Sequence, residues 1–153
     1  MDLESGDVCK IKDSFYLTSS NTERNQKNNR IYMYLAIEYK DLFCLVPFET
    51  ELFQGNTEGI YPIPSSKKKN AGLNFEKTII LQNQDLIEKI EIENLRFPRS
   101  QKQKIIDDKV KIENKFNQYI EKYIKVCKKN RETREYAYRY TTLHEYKELL
   151  VRE

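Results

Sequence analysis

Four short runs of this chain each carry a side chain that can handle a phosphodiester. They are Asn29-Arg30-Ile31-Tyr32, Pro47-Phe48-Glu49-Thr50, Gly72-Leu73-Asn74-Phe75-Glu76-Lys77 and Thr141-Thr142-Leu143-His144-Glu145-Tyr146. Other chemistries find little to work with. His144 is the single histidine, so a two-histidine acid–base pair is excluded. Neither a P-loop nor a GxGxxG run is present. The cysteines, Cys9, Cys44 and Cys127, are odd in number and widely scattered, and read as reduced thiols. Asp107 and Asp108 are neighbours on a helical pattern and point in different directions, a poor metal clamp, and Cys, His and Asp do not cluster at metal-ligand spacing. No metal or cofactor is expected. RNA, however, carries its own nucleophile in the 2′-hydroxyl beside each phosphate. A site of Arg, Lys, Tyr and Thr need only align that hydroxyl, assist its deprotonation and neutralise the phosphorane. An Arg fork and a Lys point charge suit the phosphate, and aromatic rings suit splayed bases. The products would be a 2′,3′-cyclic phosphate and a 5′-hydroxyl.

The elements that must position these residues follow from periodicity. Val8 to Lys12 reads as a short strand, residues 13–16 as an opening turn of helix, and the Asn-rich stretch 19–29 as a loop. Residues 31–39 alternate, with Ile31, Met33, Leu35 and Ile37 on one face and Tyr32, Tyr34, Ala36 and Glu38 on the other. Lys40-Asp41 makes a tight turn into the partner strand, residues 42–48, whose apolar run Leu42 to Val46 predicts a central strand covered on both faces. Residues 54–70, with Gly55, Gly59, Pro62, Pro64 and the run Lys67-Lys68-Lys69, form a long irregular loop of the kind usually tied to function. Residues 77–81 give one more strand.

From Ser100 the period changes to that of a helix. Ser100-x-x-Gln103 after Pro98 is a capping-box start. Ile105, Ile112, Phe116, Tyr119, Tyr123 and Val126 form an apolar stripe, widened by Ile106, Val110, Ile120 and Ile124, to about residue 128. Thr142-x-x-Glu145 opens a short terminal helix, with His144 expected at its surface. The fold class predicted is α+β: a small curved antiparallel sheet with a long helix packed across it and a short terminal helix.

The chain has 153 residues, 39% of them apolar and 33% charged, with 11 Tyr and 7 Phe. That is one folded, polar domain able to build a core without staples. Residues 1–7 are left out of the reading of the fold. No signal peptide or membrane span is expected, which suits a cytoplasmic protein. A net charge of +3 hides an asymmetry: residues 1–64 hold 6 basic and 10 acidic side chains, residues 96–131 hold 12 basic and 4 acidic. The basic block is the footprint of a polyanion partner or, equally, a solvated helix face.

Taken in order, the four runs resemble the RNA-cleaving toxins of bacterial type III toxin–antitoxin systems, the TenpN branch most closely, alongside ToxN and AbiQ. The resemblance extends from about Val8 to Tyr146. It implies a PemK- or Kid-like compact sheet or open barrel crossed by a long helix. It also implies a metal-independent endoribonuclease of phage defence and abortive infection, inhibited by a repeated RNA pseudoknot in a symmetric assembly. On this resemblance Arg30 meets the scissile phosphate, Thr50 hydrogen-bonds phosphate or sugar, and Tyr32 stacks on a base. Lys77, or one of Lys67, Lys68 and Lys69, assists proton transfer or stabilises charge. Lys67 to Lys69 with Lys102, Lys109, Lys115 and Lys122 would hold RNA. The family places a lysine two or three residues after the Ser/Thr, where this chain has Leu52 and Phe53. Two other readings stay open: a non-catalytic RNA-binding module, and a PemK-like mRNA interferase with a protein antitoxin. Plain structural duties also stand beside each residue. Tyr32 can be sheet packing, Thr50 a strand cap, Gly72 a turn residue with φ > 0, and Lys77 an edge lysine.

Overall fold

The structure is a computed structural model that describes residues 3–12, 33–82, 84–95 and 97–151. The expected turn at 13–16, the loop at 19–29, and both Arg30 and Tyr32 lie outside the described residues. Among the described residues seven strands form one antiparallel open sheet: β1 (Val8–Ile11), β2 (Tyr34–Tyr39), β3 (Leu42–Glu49), β4 (Ile60–Pro62), β5 (Gly72–Asn74), β6 (Ile79–Leu81) and β7 (Ile87–Ile90). Their order is β4-β5-β3-β2-β1-β7, and β6 also pairs with β3. Three α-helices follow among the described residues, α1 (Arg99–Asp107), α2 (Lys109–Lys128) and α3 (Lys147–Leu150). The class is α+β. No helix among the described residues is long and apolar enough to cross a membrane.

The alternation in β2 sorts its side chains as expected. Leu35 and Ile37 join the main core under α2, while Tyr34 and Ala36 join a second cluster on the opposite face. Both faces are therefore covered, and Leu42 to Val46 of β3 are all buried. The turn is two residues long, with Tyr39 opposite Leu42 and Lys40 at φ 56°. β3 is the strand on which the sheet divides. One edge pairs with β2 along its length. The other pairs with β6 at Phe43, Cys44 and Leu45, then with β5 at Phe48 and Glu49. The end of β3 is thus carried away from β6 and set against Gly72 and Leu73.

Several expectations change. Residues 3–7 belong to the fold: Leu3 is buried, Gly6 donates its N–H to the Ala36 carbonyl at 2.7 Å, and Glu38 donates to Ser5 Oγ at 3.0 Å. The stretch 54–70 is more regular than its composition suggests, since it holds a 3₁₀ turn (Thr57–Gly59) and β4. Lys77 ends a 3₁₀ turn (Phe75–Lys77) rather than opening a strand. Pro98, not Ser100, is the N-cap of α1, with no side-chain cap bond, and Gln101 donates to the Ile63 carbonyl at 2.6 Å. The predicted single helix is broken at Asp108, φ −99° and ψ 10°. Its stripe residues Ile105, Ile112, Phe116, Tyr119, Ile120, Tyr123 and Val126 are buried, but Ile106 and Val110 on either side of the break are exposed. At the far end, Arg131 donates to the Val126 carbonyl (2.8 Å) and Asn130 to that of Cys127 (3.0 Å), with Asn130 at φ 55°. This is a Schellman stop with Asn in the left-handed position.

Candidate functional site

A cavity of 600 Å³ opens where β3 ends. Its lining combines the tip of β3 (Phe48, Glu49, Thr50), the loop after β4 (Ile63, Ser65, Lys67, Lys68), Lys77 and the start of α1 (Phe97, Pro98, Gln101). The apolar side is anchored by Phe48 and Phe97, whose rings meet edge to face at 5.2 Å and 70°. Ile63 and Ala71 are buried beside them. Three lysines and two glutamates, Glu49 and Glu51, line the polar side. Met33, the first described residue after the segment carrying Arg30 and Tyr32, is also part of the lining.

The lysine loop is held by backbone bonds. Leu52 donates to the Asn70 carbonyl at 2.8 Å and Ile63 to that of Ala71 at 2.9 Å. At the tip the Ser65 N–H donates to the Lys68 carbonyl (3.0 Å), and Ser65 Oγ accepts from the Lys68 N–H (3.0 Å). Ser65 is buried, so Lys67 and Lys68 stand exposed on an ordered turn. Lys69 does not line the cavity.

Glu49 is the best-held charged group of the site. Lys77 Nζ lies 3.0 Å from its Oε2, and Asn74 Nδ2 donates to its Oε1 at 2.9 Å. Asn74 is itself buried, and its Oδ1 accepts from the Glu76 N–H at 3.0 Å. The whole run Gly72 to Lys77 is accounted for in this way. A Cβ at Gly72 would stand 2.4 Å from the Tyr61 carbonyl oxygen and 2.9 Å from the Ile63 nitrogen. Close backbone approach, not a positive φ, therefore requires glycine there. Leu73 and Phe75 are fully buried, Phe75 against Phe116 at 5.3 Å. Thr142 Oγ1 donates towards the carbonyls of Glu76 (3.1 Å) and Thr78 (2.5 Å). Thr141 Oγ1 accepts from the Leu143 N–H at 3.3 Å, so Thr141 and not Thr142 caps the C-terminal turn.

Sequence separation hid how the other lysines are used. Lys115 Nζ donates to the carbonyls of Thr57 (2.9 Å) and Ile60 (2.7 Å), and burial lowers its pKa. Lys122 pairs with Glu58 at 2.8 Å. Both lash α2 to the turn before β4. Lys102 donates to the Glu93 carbonyl at 3.2 Å, and the stem of Lys109 covers Gly6. None of the four lines the cavity. His144, expected at the surface, is half-buried: its Nδ1 lies 2.8 Å from Tyr123 Oη, and its Nε2 is buried with no partner. Burial pushes the thiols of Cys9 and Cys44 up to about 12, far from reactivity.

Of the residues expected at the site, the structure brings together Thr50, Lys67, Lys68 and Lys77. It adds Glu49, Asn74, Phe48, Phe97 and Gln101, none of which was singled out by a role. Glu49 and Asn74 stood inside the quoted runs, so their polar character at sheet positions was the available signal. Phe97 gave none, since its partner Phe48 is remote in sequence. Comparison of the chain with protein-family models, curated proteins and solved structures gave no match in any of the three.

Proposed function

We propose that this cavity binds and cleaves single-stranded RNA, and that the chain is a metal-independent endoribonuclease of the type III toxin kind. One observation carries the reading. Thr50, Lys67, Lys68 and Lys77, from three separate parts of the sequence, line one cavity with a phenylalanine pair on its apolar side. A base lies against Phe48 and Phe97, and the phosphate lies towards Lys67 and Lys68. Thr50 donates to a non-bridging oxygen, and Arg30, just upstream of Met33 in sequence, adds positive charge. Glu49 takes the 2′-hydroxyl proton as the 2′-O–P bond forms. Lys77 gives a proton to the 5′-oxygen as the P–O5′ bond breaks. The same basic rim receives the inhibitory RNA.

A second reading, RNA binding without scission, draws on the Glu49–Lys77 pair at 3.0 Å, which neutralises the lysine in the resting site. Mixed-sequence RNA incubated in EDTA with the protein, and with Arg30→Ala, Thr50→Ala and Lys77→Ala, separates the two. Cleavage to 2′,3′-cyclic phosphate ends that is lost in the variants supports the nuclease. Intact RNA that still binds leaves the binding module.

A further inference from the structure

Three of the five large apolar side chains exposed among the described residues are Phe53 (66%), Tyr136 (53%) and Tyr140 (77%). The first two share a place in the fold. The Phe53 ring lies over Gly55, where an added Cβ would meet its Cζ at 2.3 Å, and Tyr136 Oη is 3.1 Å from the same point. Only a glycine at 55 lets the ring lie there. Asn56, the next residue, donates from Nδ2 to the Ala137 carbonyl at 2.9 Å, which ties the two segments together. Arg139 stands with its Cζ 6.0 Å from the Tyr136 ring centre. Tyr140 follows it in sequence.

An exposed phenylalanine and tyrosine beside an arginine can serve a protein partner or an unpaired nucleic-acid strand. Charge decides between them. Residues 125–140 carry six basic side chains, Lys125, Lys128, Lys129, Arg131, Arg134 and Arg139, against Glu132 and Glu135. Glu132 is engaged with Lys147 at 3.7 Å, and Glu135 with Arg131 at 3.5 Å, which leaves five of the six basic side chains without a carboxylate from this segment. Position decides further. Thr50 and Glu51 line the cavity, Leu52 turns into the core, and Phe53 emerges two residues beyond Glu51. The chain therefore leads from the cavity rim at Glu51 to the aromatic group within about 7 Å of backbone.

We infer that Phe53, Tyr136 and Arg139 form a stacking platform for unpaired bases of single-stranded RNA flanking the nucleotide held in the cavity. The inference rests on the RNA-cleavage reading for its substrate class. Every base offers a π-face, so the platform adds affinity for single strands with little sequence preference. Duplex RNA keeps its bases stacked internally and gains nothing from it.

The test is fluorescence anisotropy of the full-length chain with a labelled, 2′-O-methylated mixed-sequence RNA, which lacks the nucleophile and stays intact. The same strand annealed to its complement is the control. Phe53→Ala and Tyr136→Ala are each expected to weaken single-strand binding about tenfold, to leave duplex binding unchanged, and to be rescued by Phe53→Trp and Tyr136→Phe. Cleavage of unmodified RNA is measured in parallel. Retained cleavage with unchanged affinity in the alanine variants overturns the platform and leaves the nuclease standing. Absent cleavage with the expected affinity loss overturns the nuclease and keeps the platform. Sedimentation that shows a dimer broken by Phe53→Ala, with RNA affinity unchanged, assigns the surface to a second copy and also overturns the platform.

Discussion

Glu49 holds one partner on each carboxylate oxygen, Lys77 at 3.0 Å and Asn74 at 2.9 Å. The lysine is half-exposed while the glutamate is mostly covered. With the ammonium half in solvent the attraction is screened, and a pair of this kind contributes on the order of 1 kcal/mol, so the arrangement does little for the fold. It does hold the carboxylate in one orientation at the cavity wall, which is what a proton acceptor needs. Glu49→Gln keeps the shape and an oxygen for Asn74 while it removes the charge. The expected outcome is a Tm within a few degrees of the wild type. Cleavage of RNA should fall by about 10²–10⁴-fold, the usual share of a general base. Equal loss of RNA binding and cleavage would instead mark Glu49 as a scaffold of the rim. Calorimetry, binding and single-turnover cleavage on the same preparation decide it.

At the scale of elements, the junction of α1 and α2 shows how tertiary contacts override a local pattern. The backbone bonds run on through the break, with Asp108 N–H on the Lys104 carbonyl at 2.9 Å and Ile112 N–H on that of Asp108 at 2.8 Å. Nothing in the apolar stripe announces an interruption. Asp108 departs from helical geometry while its carboxylate accepts from Lys104 Nζ (2.9 Å) and from Tyr61 Oη of β4 (2.8 Å). Those bonds, Lys104 first, hold its carboxyl below the usual range, while burial and the bond to Asp108 raise the Tyr61 hydroxyl to about 12. A lowered carboxyl stabilises the fold fully above its unfolded value of about 3.9 and loses that contribution as pH falls through its folded value. Asp108→Asn should cost roughly 1–2 kcal/mol at neutral pH, and the gap in urea midpoint should close in acid. A gap independent of pH would mean that shape, not charge, holds the junction. The β2–β3 hairpin was legible beforehand because alternation and a two-residue turn are local signals. The stripe of α2 was legible for the same reason. The break at Asp108 and the Phe48–Phe97 contact depend on partners 47 and 49 positions away along the chain, and no periodicity carries that information. For the site, residue types pointed to Thr50 and Lys77, but only the fold shows that Lys77 meets Glu49.

For the whole molecule, the sequence concentrates 12 basic side chains in residues 96–131, yet the fold spends several of them internally. Lys115 is bound to two carbonyls, Lys122 to Glu58 and Lys104 to Asp108. The basic surface free to meet a polyanion is therefore smaller than the count suggests. Counterion release distinguishes the two kinds of lysine. Each phosphate contact on a single strand contributes about 0.7 to the slope of log affinity against log salt. Lys67→Ala and Lys68→Ala should each flatten that slope by about this amount. Lys122→Ala should leave it unaltered, because its ammonium is committed to Glu58, and should cost less than about 1 kcal/mol of stability. The measurement is RNA affinity across a potassium chloride series for the three variants. Equal flattening by Lys122→Ala would place RNA across α2 as well as at the cavity, and the binding surface would then be the helix face that the charge pattern alone suggested.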